Sequence, residues 1–398
     1  MGCGNDDLDA PWQSQLGSDA PDSSFGVAAA PNGDVVVAAA TEGSLAGDHG
    51  GSRDIYVARF SGEGEPSWSI QLGGEASESP LGISVAPDDS VYVGGFTDGS
   101  FAGDNAGSAD IWVARFDADG SELWRSQFGG DGWDRGFDVT AFDSGVYITG
   151  YTASVLDPET NHEGFDGFAA RFDAAGEMQW IRQFGTDAAD WGQGSSLAAD
   201  GGLYVTGYTE GAMAGDHLGD KDGFIIRLTP GGETVWVQQF GSPALDWPQG
   251  VGTTNDGGVV VAGSTEGDLD GSNAGERDAF IAAFSETGEQ QFISQLGTAA
   301  ADSVFEIRTF NDGFVATGST AGDLNGANGD RDGLLVWFDE AGAVVSIDQI
   351  GTAAVDDLTG LAVSENDVVF YSGTGPGSGS AEGDIDVVLG ATDGPADG

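Results

Sequence analysis

Bases, thiols, histidines and long apolar runs are all scarce in this chain. Of its 398 residues only 12 are lysine or arginine, against 66 aspartates and glutamates, for a formal charge of -54, and Lys221 is the sole lysine. Nucleic acid is therefore not an expected partner, because neutralising phosphates takes clustered Lys and Arg. One cysteine, Cys3, excludes an intrachain disulfide framework. No apolar run approaches the roughly 20 residues of a membrane-spanning helix. His49, His162 and His217 are too dispersed to predict a zinc site, and no nucleophile stands beside a recognisable base. A surface so acidic suits a saline or calcium-rich medium, where counterions screen its self-repulsion.

What the chain does have is repetition. A Gln-apolar-Gly signature places glutamines at 15, 71, 127, 183, 239, 295 and 349, five steps of 56 and a last step of 54. In the second repeat, LGISVAP (81–87), SVYVGGFT (90–97), DIWVARFD (110–117) and SELWRSQFG (121–129) read as strands separated by turns. Repeats of this length and content predict an all-β, seven-bladed β-propeller of four-stranded antiparallel blades. Residues 11–390 form its single domain, between a flexible N-terminal tether (1–10) and a flexible acidic tail (391–398). The chain opens on a strand of the fourth type, PWQSQLG (11–17), and closes on one of the third type, DIDVVLG (384–390). The last blade is thus expected to take its outer strand from the N-terminus, which removes the open edges. Trp12, Trp68, Trp124, Trp180 and Trp236, three residues before each Gln, are expected to pack blade on blade.

The pattern W-x-x-Q-F-G, an acid, V-Y-V-x-G-x-T and D-x-F-V-A-R-F closely resembles the bacterial SBBP-type β-propeller repeat, from about Pro11 to Gly390. The resemblance implies the fold and a secreted or surface-associated protein, and no one enzyme class. FDADGSELW is similar to the Trp-containing repeat of quinoprotein-type propellers, but those have eight blades and another consensus, so no quinone is expected. Cys3 follows Gly2 and leads into CGNDDLDAP, which resembles the start of a mature bacterial lipoprotein. That implies lipidation at Cys3 and a cell-surface or periplasmic place, with a chance free cysteine as the competing reading. N-myristoylation fits worse, because Asp6 stands where that motif has Ser or Thr.

Two rings of acids recur. Asp22, Glu78, Asp134, Asp190, Asp246, Asp302 and Asp356 lie seven residues after each Gln, and precede the strand that lines the channel. They read as turn-fixing acceptors, with a cation-collecting ring as the alternative. Asp54, Asp110, Asp166, Asp222, Asp278, Asp332 and Asp386 open each third strand. The first four precede Arg59, Arg115, Arg171 and Arg227 by five residues, and read as turn and salt-bridge residues. In two loops, Asp268, Asp270, Asp323 and Asn325 carry oxygens spaced as in a calcium loop, without the full motif, and make Ca2+ a candidate ligand.

Departures from the repeat are where function is expected, since architecture alone asks every blade to be alike. Trp133, Trp191 and Trp247 stand beside the recurring acid in three consecutive repeats. With Asp134, Arg135, Asp190, Gln193, Asp246 and Gln249 they form a candidate ligand-binding face on blades 3 to 5. Aromatics flanked by amides and acids suit glycan hydroxyls and equally a protein hot spot. Packing beneath the loops is the competing reading. The expected function is a non-catalytic, monomeric binding scaffold, extracellular or on the cell surface, for a polysaccharide or a protein. The alternative is a carbohydrate-active enzyme, a glycoside hydrolase or polysaccharide lyase, using two of Asp134, Asp190 and Asp246.

Overall fold

Each repeat folds into a four-stranded meander, A to D from the channel outward, and seven such sheets surround one axis. The computed structural model describes residues 12–159, 164–271, 273–326, 330–352, 356–376 and 385–395. Every regular element among them is a strand. Blade 2 shows the plan: A is Glu78–Val85, B Val91–Thr97, C Asp110–Phe116 and D Glu122–Phe128. Strands B and C are buried almost throughout, because neighbouring blades cover both faces of each sheet. Hence their near-continuous apolar sequences, in place of strict alternation. Strand D is the exposed rim.

In blades 1 to 6 strand A begins at the acid, and in blade 7 one residue after it, earlier than its apolar pattern suggests. A bulge interrupts its register with strand B in all seven blades, as between Pro80 and Gly82. The extra residue breaks the period of two and hides the strand's start from pattern reading.

The closure expected from sequence is present. Trp12–Leu16 pairs antiparallel with Ile385–Thr392, in one sheet with Asp357–Val363 and Val369–Pro376. One apolar cluster joins Val35, Val37 and Phe60 of blade 1 to Phe370, Val387 and Leu389 of blade 7. The last strand runs to Thr392, past the boundary at Gly390 read from sequence. The tether, Cys3 included, lies outside the described residues, as does the end of the tail.

The signature Gln explains the repeat. In every blade its Nε2 donates to the Asp that opens strand C, at 2.6–3.1 Å. In blade 2, Gln127 Nε2 also donates to the Gly99 carbonyl, while its Oε1 accepts the Phe101 and Ala102 amides of the B-to-C loop. The same pattern holds at Gln71, Gln183 and Gln239. One side-chain amide thus binds strand D, strand C and the loop between B and C. The Gly two residues on is equally determined: a Cβ at Gly73 or Gly129 would run into the Oδ1 of Asp54 or Asp110.

The tryptophans pack as expected. Trp12, Trp68, Trp124, Trp180 and Trp236 each donate their indole N–H to a carbonyl 50 residues on, at 2.7–3.0 Å, in the C-to-D turn of the next blade. The strand C arginines do not pair with the acid five residues before them, because five residues of strand carry them to the other end of the sheet. There Arg59 meets Asp34 and Asp89, Arg115 meets Asp88, and Arg227 meets Asp200.

Removing residues 1–17 should lower the melting temperature sharply, since it opens blade 7; an unchanged melt in the truncated chain would refute the clasp. Gln127→Ala should cost about 2–4 kcal/mol through four lost hydrogen bonds, and Gln127→Glu more, since it sets a second carboxylate against Asp110. Calorimetric melts of both variants test the order.

Candidate functional site

The D-to-A turns and the B-to-C loops share one end of the barrel. Short parallel bridges join them, among them Arg53 to Ser77, Ala109 to Trp133 and Lys221 to Leu245. This end carries the residues singled out from the sequence.

The acids of the first ring turn away from any ligand. Asp134, Asp190 and Asp246 are each 0% exposed. Their carboxylates accept the backbone N–H four residues earlier, from Gly130, Thr186 and Ser242, at 2.5–2.7 Å. Thr152 Oγ1 also donates to Asp134, and Thr265 Oγ1 to Asp246 at 2.5 Å. As ligand-binding or catalytic groups these three are corrected: they tie the turn, and a polysaccharide cannot touch them. The cation-collecting ring fails for the same reason.

The extra tryptophans differ from one another. Trp191 is sandwiched, stacked on Tyr151 at 4.2 Å between centroids, tilted against Tyr208 at 5.4 Å and met edge-on by Phe165. It offers no free face. Trp247 meets Tyr208 at 6.0 Å. Lys221 lies over Tyr208 with Nζ 3.9 Å from the ring centroid and 6.0 Å from both Trp191 and Trp247, while Glu210 pairs with it at 3.6 Å. The protein's own cation thus occupies this aromatic cage. Burial pushes the Tyr208 hydroxyl pKa upward, with Glu210 adding to it. Among the described residues the indole N–H groups of Trp191 and Trp247 and the Nε2 of Gln193 are buried without hydrogen-bond partners. Gln249 is partly buried, in the bulge of strand A of blade 5.

Trp133 is the open member, 44% exposed, and Val155 and Leu218 are exposed on the same end. Arg135 sits between rings, its guanidinium carbon 4.1 Å from the Phe96 centroid and 5.0 Å from that of Trp133. A hollow of about 500 Å3 adjoins, lined by Gly130, Asp131, Gly132, Ala153, Ser154 and Val155.

The calcium candidates do not converge. Asp268 accepts the Asn273 amide, Asp270 the Gln295 amide and Asp323 the Gly326 amide, while the Asn325 side chain donates to the Ile347 carbonyl. Among the described residues no three His, Cys, Asp or Glu side chains come together as a metal set. Asp268 and Asp323 thus bond amides of their own loops, while Asp270 and Asn325 tie theirs to strand D.

The aromatic partners Phe96, Tyr151 and Tyr208 were missed from sequence. Their signal was present: the last strand B position before Thr is aromatic only in blades 2, 3 and 4. A second group, in the lumen, was also missed. Four residues into strand A stands Gly26, Gly82, Gly194, Gly250 or Gly360, but Asp138 in blade 3 and Glu306 in blade 6. A Cβ at Gly82 or Gly250 would run into the backbone around Asp138 or Glu306, so each charged residue has a glycine beside it. Asp138 Oδ2 accepts the Ser195 N–H at 2.7 Å and its hydroxyl at 2.9 Å. Glu306 pairs with Arg308 at 2.6 Å, and Arg308 lines a lumen cavity of about 420 Å3. Burial pushes both carboxyls up, and Arg308 opposes it.

No known family profile matches the chain. An alignment 192 residues long, covering 42% of this chain and 20% of that protein, is 26% identical to the regulatory protein FlaEY of Caulobacter vibrioides. Among solved structures, the WD40 domain of Neurospora crassa Pan2 superposes with a TM-score of 0.52 at 11% identity, over 96% of each chain. The WD40 propeller of Doa1 gives 0.51 at 11% identity, over 94% of this chain and 95% of that one. These likenesses are of fold alone. The chain is a seven-bladed β-propeller.

Burial also raises the pKa of Asp22, Glu78, Asp190, Asp246 and Asp302. Such groups keep their proton to higher pH when folded, so their stabilisation is full below the ordinary carboxyl range near ~4 and is lost as pH rises through the raised values. Asp256, held down by Thr254, and Asp200, where the Gly202 amide and Arg227 outweigh burial, run the other way but are largely exposed. The melting temperature should rise by about 2–5 °C between pH 8 and pH 5, and Glu306→Gln should shrink that rise. A melt that falls steadily over this range would contradict the assignment.

Proposed function

We propose that this propeller is a non-catalytic, monomeric binding scaffold, secreted or held at a bacterial cell surface, which takes a polysaccharide on the blade 3 to 5 face. The observation that carries the reading is the half-exposed Trp133 beside Arg135, next to a hollow walled mainly by small residues. An exposed indole face gives a sugar ring a flat apolar platform, and the adjoining fork supplies donors for its oxygens. A protein partner is less well served, because among the described residues the large apolar side chains exposed on this end are few, Trp133, Val155 and Leu218. The enzyme alternative loses its residues, since Asp134, Asp190 and Asp246 are sealed in their turns.

The SBBP-like repeat supports the surface location. The charge of -54 supports a monomer through mutual repulsion of copies. The partial likeness to a protein named as regulatory agrees with a binding role.

A polysaccharide array probed with the intact chain, in millimolar calcium and again in chelator, should show ligands that Trp133→Ala loses while Trp191→Ala chiefly lowers the melting temperature. No polysaccharide bound under either condition would sink the proposal.

A further inference from the structure

Arg135 is an anomaly among the 11 arginines of a chain with 66 acids. Arg53, Arg59, Arg115, Arg125, Arg182, Arg227, Arg277, Arg308 and Arg331 all pair with a carboxylate. Arg171 donates to the Pro230 carbonyl. Arg135 has neither an ion pair nor a hydrogen bond among the described residues; two aromatic rings hold it by their faces. Its Nε is buried and unpartnered, while its terminal nitrogens remain open.

Such a side chain is costly to keep in this form. Five N–H donors go unused, and the rings fix the plane of the fork. Packing alone would accept an apolar residue there, and blades 4 and 5 show it with Trp191 and Trp247 at the same strand position. A planar, held, unpaired guanidinium recognises an oxyanion, and the planar carboxylate matches its fork by two parallel hydrogen bonds.

We infer that the blade 3 face binds an acidic polysaccharide, a uronate chain, with Arg135 gripping a carboxylate and Trp133 carrying the ring of the same or the next sugar. This rests on the polysaccharide reading above and narrows it. Trp133 and Arg135 lie two residues apart on either side of the buried Asp134, which positions both at the start of strand A. Asp131, exposed in the same turn, opposes an anion, as does the net charge of the whole chain. Both act through solvent and fade with salt over a Debye length of about 8 Å at physiological strength. Contact hydrogen bonds to the fork are screened far less.

The test compares polygalacturonate with the same polymer after reduction of its carboxyls, and with poly-L-glutamate, by calorimetric titration at moderate salt. The inference expects binding of polygalacturonate, at least about 10-fold weaker binding of the reduced polymer and a similar loss in Arg135→Gln. Arg135→Lys, which keeps charge but not the fork, should recover only part. Equal binding of the reduced polymer would overturn the uronate assignment and leave the polysaccharide scaffold standing. Tighter binding of poly-L-glutamate would overturn it in favour of an acidic protein segment. If none of the polymers binds and the array is also silent, both readings fall. Melting curves check that the variants fold, and a folded Arg135→Gln that binds polygalacturonate as the parent does would equally overturn it.

Discussion

Everything in this ring leans on one side-chain amide per blade. The glutamine of strand D donates to a buried carboxylate at the start of strand C and, through its carbonyl, holds the first amides of the long B-to-C loop. A buried carboxylate is expensive unless it is well bonded, and the Gln, together with the loop amide four residues before the acid, makes it tolerable. The acid, amide and glycine are mutually dependent, because the glycine leaves the room that the acid's second oxygen takes up. This interdependence is why the spacing recurs so strictly.

Rigidity at that end has a functional side. Loops rich in Gly, Asn and Asp would ordinarily be mobile, yet those of blades 1 to 6 are stitched to a strand by the same amide. The seven acids of the A strands do likewise for the D-to-A turns. A platform so fixed can present a residue that has no partner of its own, and Trp133 with Arg135 is such a pair. Held by Phe96 from the neighbouring blade, the arginine is preorganised, so little rotamer freedom remains to be lost on binding.

Fold was far more legible in the sequence than site, for a physical reason. Blade number, strand order, the packing tryptophans and the N-terminal clasp follow from periodicity, which sevenfold repetition amplifies. The acids before strand A were rightly suspected of fixing turns, but nothing in their spacing showed how completely Asp134, Asp190 and Asp246 are sealed. Trp133 precedes its acid, whereas Trp191 and Trp247 follow theirs at the position that Arg135 holds in blade 3; that Tyr151 and Tyr208 cover Trp191, and that Tyr208 meets Trp247, are contacts between strands which spacing does not show. Asp138 and Glu306 stood in plain view at positions otherwise held by glycine. In a chain where one residue in six is acidic they carried little contrast, and the bulge that aims them inward has no local signature.

At the seam, Gln15 reaches Asp386 across 371 residues of chain with the bond that its six counterparts make across 17. The ring therefore has no chemically privileged starting point. A circular permutant that joined the present ends through a short linker and opened another C-to-D turn would keep this Gln–Asp bond at its new seam, and whichever blade held the break would become the one clasped by two ends of the chain.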